Sequence, residues 1–319
     1  MLNSVQILFL ALVLDYFLGD PESVWRRYPH PAVLMGKVVD FLDRTLNRGG
    51  LRTAKGILAT ILLILLGLVL GLLYRALPDF GLSPVALIYD LIEVLIVSIL
   101  LAYKSLVQHV ENVAKGLANS LQEGRLHVSY IVGRNTSSMT ESDVSRAAVE
   151  SAAENFSDGV VAPALWYLFF GLPGLLIYKL INTGDSMIGH QTEKYNLFGF
   201  GTAKTDDIMN FVPARITGGL ICLAYKSKDA FDTMMSDADL HRSLNAGWPE
   251  AAMAAVLGIA LSGPRSYSDQ SLSQDAYLNP RGRMELNRED IISSVAVLNR
   301  VWLCLILAMA ILAFLIWLL

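Results

Sequence analysis

Cysteine is scarce: Cys222 and Cys304 are the two thiols of the chain, and they sit in separate apolar stretches. That argues against a disulfide framework, and neither thiol has metal-ligand spacing. Charge is scarce too. Only 17% of the 319 residues are charged, while 54% are hydrophobic, against about 25% and about 45–50% in a soluble domain. With a mean hydropathy of +0.47, the shift implies an integral membrane protein that keeps sizeable polar loops. There is no basic excess. The net charge is −4 and the pI about 5.7, which excludes nucleic acid as the expected partner. Familiar nucleotide and hydrolase signatures are missing: no Rossmann fingerprint and no G-x-S-x-G elbow. Gly199 to Thr205 looks like a phosphate loop but lacks the glycine before Lys204. Asn155-Phe156-Ser157 matches a glycosylation sequon by chance, among acids.

Long apolar runs are present. Clear spans are expected at 2–18, 57–77, 85–103 and 301–319. The first lacks a basic n-region and a good cleavage site, so it reads as a retained anchor. Asp15 lies near its end. The stretch from Asp15 to Arg44 contains Asp20-Pro21 and His30-Pro31, both helix breakers, and reads as a shaped loop. Residues 78–84 form a short turn. Asp90 and Glu93, one turn apart in the third span, should face the bundle interior. Residues 104–158 are polar and mostly helical, with Leu106, Val110, Val113, Leu117 and Leu121 on one face. Thr140-x-x-Asp143 is an approximate capping box for the helix that follows.

Three apolar segments are weaker. Residues 160–181 contain Pro163, Gly171, Pro173 and Gly174, and 208–225 contain Pro213 and Gly218-Gly219. Both read as broken or re-entrant segments, tolerated where protein lines a cavity. The apolar part of 251–262 is too short to cross. The fold class expected is all-α: a single membrane-embedded domain, 1–319, polytopic, with about four clear spans, broken helices and cytoplasmic helical loops. Lys and Arg crowd the loop after the first span and residues 104–158, so those segments should be cytoplasmic. The expected location is the plasma membrane, with the site on its cytoplasmic side.

The chemistry-bearing residues lie between Arg146 and Arg215, with a further group in the loop 241–250. Glu150, Glu154 and Asp158 fall at i, i+4 and i+8, one stripe if the helix holds that far. Small neighbours Ala147, Ala148, Ala152 and Ala153 would let another element approach them. Asn182 and Asp185 follow at i, i+3. Asp206-Asp207-x-x-Asn210 resembles oxygen-ligand groupings that hold Mg²⁺ on phosphates. Arg215 in an apolar run calls for an anion, an acid of this set or a substrate phosphate. In the polar loop 241–250, His241, Arg242 and Asn245 are placed to bind phosphate or move a proton. Acids that repel one another beside lipid are costly unless a cation neutralises them. Together these groups suit metal-assisted chemistry on a phosphate-bearing substrate. The residues alone leave phosphotransferase, prenyltransferase and ligase open. The full acid patterns of a CDP-alcohol phosphotransferase and of a prenyltransferase are absent.

Several blocks, in order along nearly the whole chain, resemble the CobD/CbiB family of adenosylcobinamide-phosphate synthases. They include Asp15-Tyr16 with Gly19-Asp20-Pro21, His30-Pro31, Met35-Gly36 and Gly133-Arg134-x-Thr136. AAVESAAENFSDGVVAPALWY, NTGDSMIGH, TDDIMNFVPARIT, HRSLNAGWPEAAMAAVLG and Tyr267 complete the set. Two positions depart from the family pattern. Asn135 stands where an Asp is usual, so it is given no metal role, and Leu244 stands where a Pro is usual. The resemblance implies ATP-dependent amide ligation of adenosylcobyric acid with (R)-1-aminopropan-2-ol or its O-phosphate. It implies Mg²⁺ with ATP as cosubstrate, a corrinoid substrate, the lipid bilayer, and other cobalamin-pathway membrane enzymes as partners. Metal binding would fall to Glu154, Asp158, Asp206 and Asp207. Substrate and phosphate binding would fall to Asn182, Asp185, Arg215, Arg242 and Asn245, and proton transfer to Glu150 or His241. A transporter with intramembrane acids and a non-catalytic corrinoid-binding scaffold are the rival classes.

Overall fold

The computed structural model describes residues 2–19, 21–77, 83–264 and 275–318. Asp20, residues 78–82 of the turn expected at 78–84, and Tyr267 lie outside them. Among the described residues the architecture is almost wholly helical, with one two-stranded antiparallel ribbon, β1 (Leu261–Ser262) against β2 (Tyr277–Leu278). Four helical segments are long and apolar enough to cross a membrane: Arg52–Ala76, Glu141–Ile188, Phe200–Tyr225 and Arg288–Leu318. The protein is a polytopic all-α membrane protein.

The chain forms two compact units. The first comprises 1–102, 162–210 and 308–319, and the second 103–161 and 211–307. In the first unit, α1 (Ser4–Leu18) starts at a capping box made by Asn3 and Gln6. It buries Leu8, Ala11 and Leu12, and Asp15 is only 2% exposed. The shaped loop expected from Asp15 to Arg44 is shorter than that. A one-turn helix α2 (Glu22–Trp25) leads to α3 (Pro31–Leu46). His30 caps α3 by accepting the Ala32 N–H at Nδ1, and Pro31 supplies the preset φ of a first helical residue. The breakers therefore mark a helix start.

The apolar helix α4 (Arg52–Ala76) packs on α9 (Ala162–Ile188) through glycines. A Cβ on Gly71 would lie 2.4 Å from the Pro173 Cα, and one on Gly67 2.7 Å from the Ile177 nitrogen. Gly67-x-x-x-Gly71 thus brings two backbones together, as small residues do between membrane helices. As expected, 160–181 is broken: α9 departs from helical geometry at Gly171 (φ +64°, ψ −156°), just before Pro173. The matching expectation for 208–225 does not hold. α10 (Phe200–Tyr225) runs unbroken through Pro213. Residues 200–205, the would-be phosphate loop, are its first turns. In α5 (Ser83–Leu100), Asp90 is 3% exposed and accepts the Leu2 N–H at 2.8 Å. Glu93 is half-buried and accepts the Tyr167 hydroxyl at 2.7 Å. Both acids face the interior.

In the second unit, α6 (Tyr103–Asn119) buries Leu106, Val110 and Val113, but Leu121 begins α7 (Leu121–Val128) and is exposed. The capping box forms: Thr140 accepts from the Asp143 N–H while the Asp143 carboxylate accepts from the Thr140 N–H. It opens α8 (Glu141–Phe156), whose Ala147, Ala148, Ala152 and Ala153 are essentially inaccessible. Helices α11 (Lys228–Asp237) and α12 (Gly247–Leu257) pack on one another, and α12 also meets α8. The last helix, α13 (Arg288–Leu318), starts well before the apolar run at 301–319. Its Trp302 stacks on Tyr103, ring centroids 4.0 Å apart.

Candidate functional sites in two units

The first unit gathers Asn182, Asp185, Asp206, Asp207 and Asn210. Helices α9 and α10 bring them together as a hairpin, and the connecting loop is pinned. Lys194 Nζ lies 2.8 Å from the Asp43 carboxylate, and the Tyr195 hydroxyl donates to that carboxylate at 3.2 Å. Burial alone would raise the Asp43 pKa. The bonds from Lys194, Asn47 and Tyr195 outweigh it and hold Asp43 below the usual carboxylate range.

Asp206 is 8% exposed. Its Oδ1 accepts from Asn182 Nδ2 at 3.3 Å and its Oδ2 from Asn210 Nδ2 at 2.9 Å. The Tyr178 hydroxyl donates to Asn210 Oδ1 at 2.8 Å, which sets the orientation of that amide. Asp185 and Asp207 are close enough for their charges to act on Asp206, and His190 acts on Asp185. Asp207 also pairs with Lys204 at 2.8 Å. Hard oxygen donors in this number suit Mg²⁺, which takes one or two carboxylates and completes its shell with water and phosphate oxygens. Among the described residues, no three His, Cys, Asp or Glu side chains converge as a ready-made metal cage. A metal here would rely on one or two of these acids and on its ligand's phosphates.

The second unit treats its acids differently. Glu150 is 5% exposed; Oε2 pairs with Arg134 Nη2 at 3.1 Å and Oε1 accepts the Ser262 N–H at 2.7 Å. The stripe expected from Glu150 through Asp158 does not extend that far. The α-helix gives way at Phe156 to a π turn, Ser157–Val161, so the i, i+4, i+8 spacing does not hold through Asp158. Glu154 is exposed and Asp158 half-buried.

The loop before α12 builds the third group. His241 Nδ1 accepts the Ser243 N–H at 3.0 Å. In the neutral ring the proton therefore sits on Nε2, which faces Glu250 Oε2 at 3.7 Å. Both side chains are almost fully buried, as is Asn245, whereas Arg242 is exposed. The Arg215 guanidinium lies 3.5 Å from the Phe211 ring centroid and 4.3 Å from that of Trp248. It donates to the Phe211 carbonyl at 2.7 Å, and Asp239 acts on it electrostatically. An aromatic sandwich thus holds the cation that the sequence matched only to an anion.

Sequence reasoning missed Glu250, Trp248, Tyr178 and His190. Glu250 had a usable signal: a carboxylate nine residues from His241 at the start of an alanine-rich helix must be buried or paired. Tyr178 had none, since tyrosine in an apolar run is ordinary.

All-helical, with buried carboxyl groups in both units, the fold defines a polytopic membrane protein. More narrowly, the chain belongs to the CobD/CbiB protein family, whose model matches residues 8–298. It is similar to the cobalamin biosynthesis protein CobD of Brucella anthropi, at 47% identity over 89% of each chain. The protein of that name from Sinorhizobium fredii is 44% identical over 96% of each chain. That from Halalkalibacterium halodurans is 38% identical over 91% of this chain and 90% of its own. No solved structure matches.

Proposed function

We propose that this protein is an enzyme of cobalamin biosynthesis, an adenosylcobinamide-phosphate synthase. In an ATP-dependent amide ligation it would join adenosylcobyric acid to (R)-1-aminopropan-2-ol or its O-phosphate. The observation that carries this reading is the family match over 8–298, which contains every candidate site residue. The chemistry is consistent with it. A carboxylate is a poor electrophile because O⁻ leaves badly. The corrinoid carboxylate oxygen attacks the γ-phosphorus of ATP, and the bond to ADP breaks. The amine nitrogen then attacks the acyl carbon, a C–N bond forms, and inorganic phosphate departs with the C–O bond pair. One amine proton passes to a base.

Asp206 and Asp207, with Asp185 beside them, would hold Mg²⁺ on phosphate, while Glu154 and Asp158 are the second unit's metal-binding acids. When bound, Mg²⁺ neutralises charge on the transferring phosphoryl group. Asn182 and Asn245 would orient polar groups of the substrate, and Arg215 and Arg242 would hold phosphate oxygens. Of the two proposed bases, His241 is favoured. Both Glu150 oxygens are engaged, whereas Glu250 stands 3.7 Å from His241 to stabilise the imidazolium. The proton would be taken at Nδ1 in exchange for the Ser243 N–H. The proposed location is the plasma membrane, with the site open to the cytoplasm that supplies ATP, and with other membrane enzymes of the pathway as neighbours.

The test is purified protein with adenosylcobyric acid, ATP, Mg²⁺ and each amino alcohol, read by mass spectrometry. An amide product that requires both ATP and Mg²⁺ is expected. Corrinoid binding with no turnover under any of these conditions would overturn the reading in favour of a scaffold.

A further inference from the structure

Helix α3 buries one apolar side and exposes another. Met35, Val39 and Leu42 pack inward. Phe41 is 65% exposed and Leu34 48%, with the half-buried Val38 between them. Positions 34, 38 and 41 are spaced i, i+4 and i+7, so they form one continuous ridge along the helix. Lys37 stands three residues after Leu34 and four before Phe41, which places it alongside the ridge, and Arg44 continues that line. Lys37 is exposed and, among the described residues, forms no ion pair. Arg44 pairs with Asp40 at 2.9 Å on the surface, a bond weak enough to exchange for a phosphate oxygen.

The place of α3 is fixed by its neighbours in the first unit. Asn47, its C-cap, accepts the Arg52 Nε–H at 2.9 Å, and Arg52 opens α4 just ahead of that helix's apolar run. A Cβ on Gly36 would lie 3.4 Å from Met187 Sδ, in the last turn of α9. The helix therefore rests against the ends of two membrane segments, where the apolar surface of α4 begins. It does not cross. Its 16 residues rise about 24 Å, short of a hydrocarbon core of about 30 Å, and Lys37, Asp40, Asp43 and Arg44 bar it from the bilayer interior. Exposed Leu and Phe flanked by cations, at the edge of a membrane, match a helix that lies in the interface plane.

We propose that α3 is a docking surface for anionic phospholipid: Leu34, Val38 and Phe41 enter the acyl boundary, and Lys37 and Arg44 meet lipid phosphates. The stem of Lys37 runs along the ridge while its ammonium stays at headgroup level. A second copy of the chain suits this face less well, because a two-fold pairing centred on the ridge would set Lys37 beside its own equivalent. A zwitterionic headgroup offers no net charge to the cations. The opposite side of α3 carries Asp43, which pins the α9–α10 loop, so one helix joins the lipid surface to the loop that follows Asp185. The proposal is independent of the synthase reading.

Depth is tested with a fluorescent label at residue 41 or 40, introduced by Phe41→Cys or Asp40→Cys in the full chain carrying Cys222→Ala and Cys304→Ala. The chain is reconstituted in nanodiscs of phosphatidylglycerol and phosphatidylcholine. The label at 41 should be quenched by nitroxide on the lipid acyl chains and shielded from aqueous acrylamide, and the label at 40 should show the reverse. Equal acrylamide quenching at the two positions would overturn the proposal. So would a label at 41 shielded from both quenchers, the pattern of a face covered by protein. Charge is tested by native mass spectrometry on the chain with its own cysteines, which stands even if the cysteine-free chain does not fold. Bound phosphatidylglycerol should exceed its share of the lipid mixture. In Lys37→Gln with Arg44→Gln, the bound ratio of phosphatidylglycerol to phosphatidylcholine should fall at least roughly threefold. An unchanged ratio would overturn the assignment to anionic lipid.

Discussion

Asp206 in the first unit and Glu150 in the second are both under a tenth exposed, yet they are neutralised in opposite ways. Asp206 receives two amide N–H groups and, among the described residues, no cation. Glu150 receives a guanidinium. Amides can orient a carboxylate without cancelling its charge, which is what the proposed Mg²⁺ role of Asp206 requires. The charge of Glu150 is already balanced within the fold, and what it does is position Arg134 and Ser262. On the proposed reading, the same residue class at the same burial is a binding group in one place and a structural strut in the other.

The sharpest way to break this comparison is Asp206→Ala. In the mass-spectrometric assay, turnover should fall at least a thousandfold, about 4 kcal/mol, with no recovery at high Mg²⁺. Unchanged turnover would make Asp206 another strut. Next is Glu150→Gln, which removes the charge paired with Arg134 and should cost about 3 kcal/mol of stability, read by thermal unfolding in detergent. Adding Arg134→Met should recover much of that loss, a coupling that a double-mutant cycle measures. If the double variant is no more stable than Glu150→Gln alone, the strut description fails. Gly71→Ala drives a Cβ against the Pro173 backbone and should cost about 2 kcal/mol. A neutral effect would show that α4 and α9 can part.

Asp43 gives the smallest effect, and it is a buried, cation-paired acid of the first unit. Its folded pKa is depressed, so its contribution is present above the unfolded value and is lost as pH falls through the folded one. Asp43→Asn should therefore cost about 1 kcal/mol at pH 7, and the difference from wild type should begin to shrink below about pH 4 and vanish once the pH is under the folded value. A difference that persists at low pH would mean that the carboxylate charge is not what pins the loop.

Much of this was legible in the residues. Helix caps are local, so Thr140 and Asp143 announced the start of α8, and Gly171 with Pro173 announced the break in α9. The unbroken course of α10 through Pro213 was not legible, because a proline costs one hydrogen bond that tertiary packing can absorb. The Asn182–Asp206–Asn210 cluster was half visible: spacing put Asp206 and Asn210 on one face, but only the α9–α10 hairpin adds Asn182. The failed stripe at Asp158 has a plainer reason. A π turn leaves no mark on the spacing of Glu150, Glu154 and Asp158, since it is made by the backbone.

Gly171 has one more consequence. Its φ and ψ fall where side chains other than hydrogen are effectively barred, and a Cβ there would stand 3.5 Å from the Arg75 guanidinium carbon. The last carbonyls of the 162–170 half-helix form a negative pole inside an apolar stretch, and a positive side chain from α4 rests against it. Hydrocarbon would otherwise meet naked backbone polarity at that depth. A side chain at 171 would touch that cation only at ordinary contact distance, so what bars it is the backbone conformation itself, and the seal between the two half-helices depends on glycine.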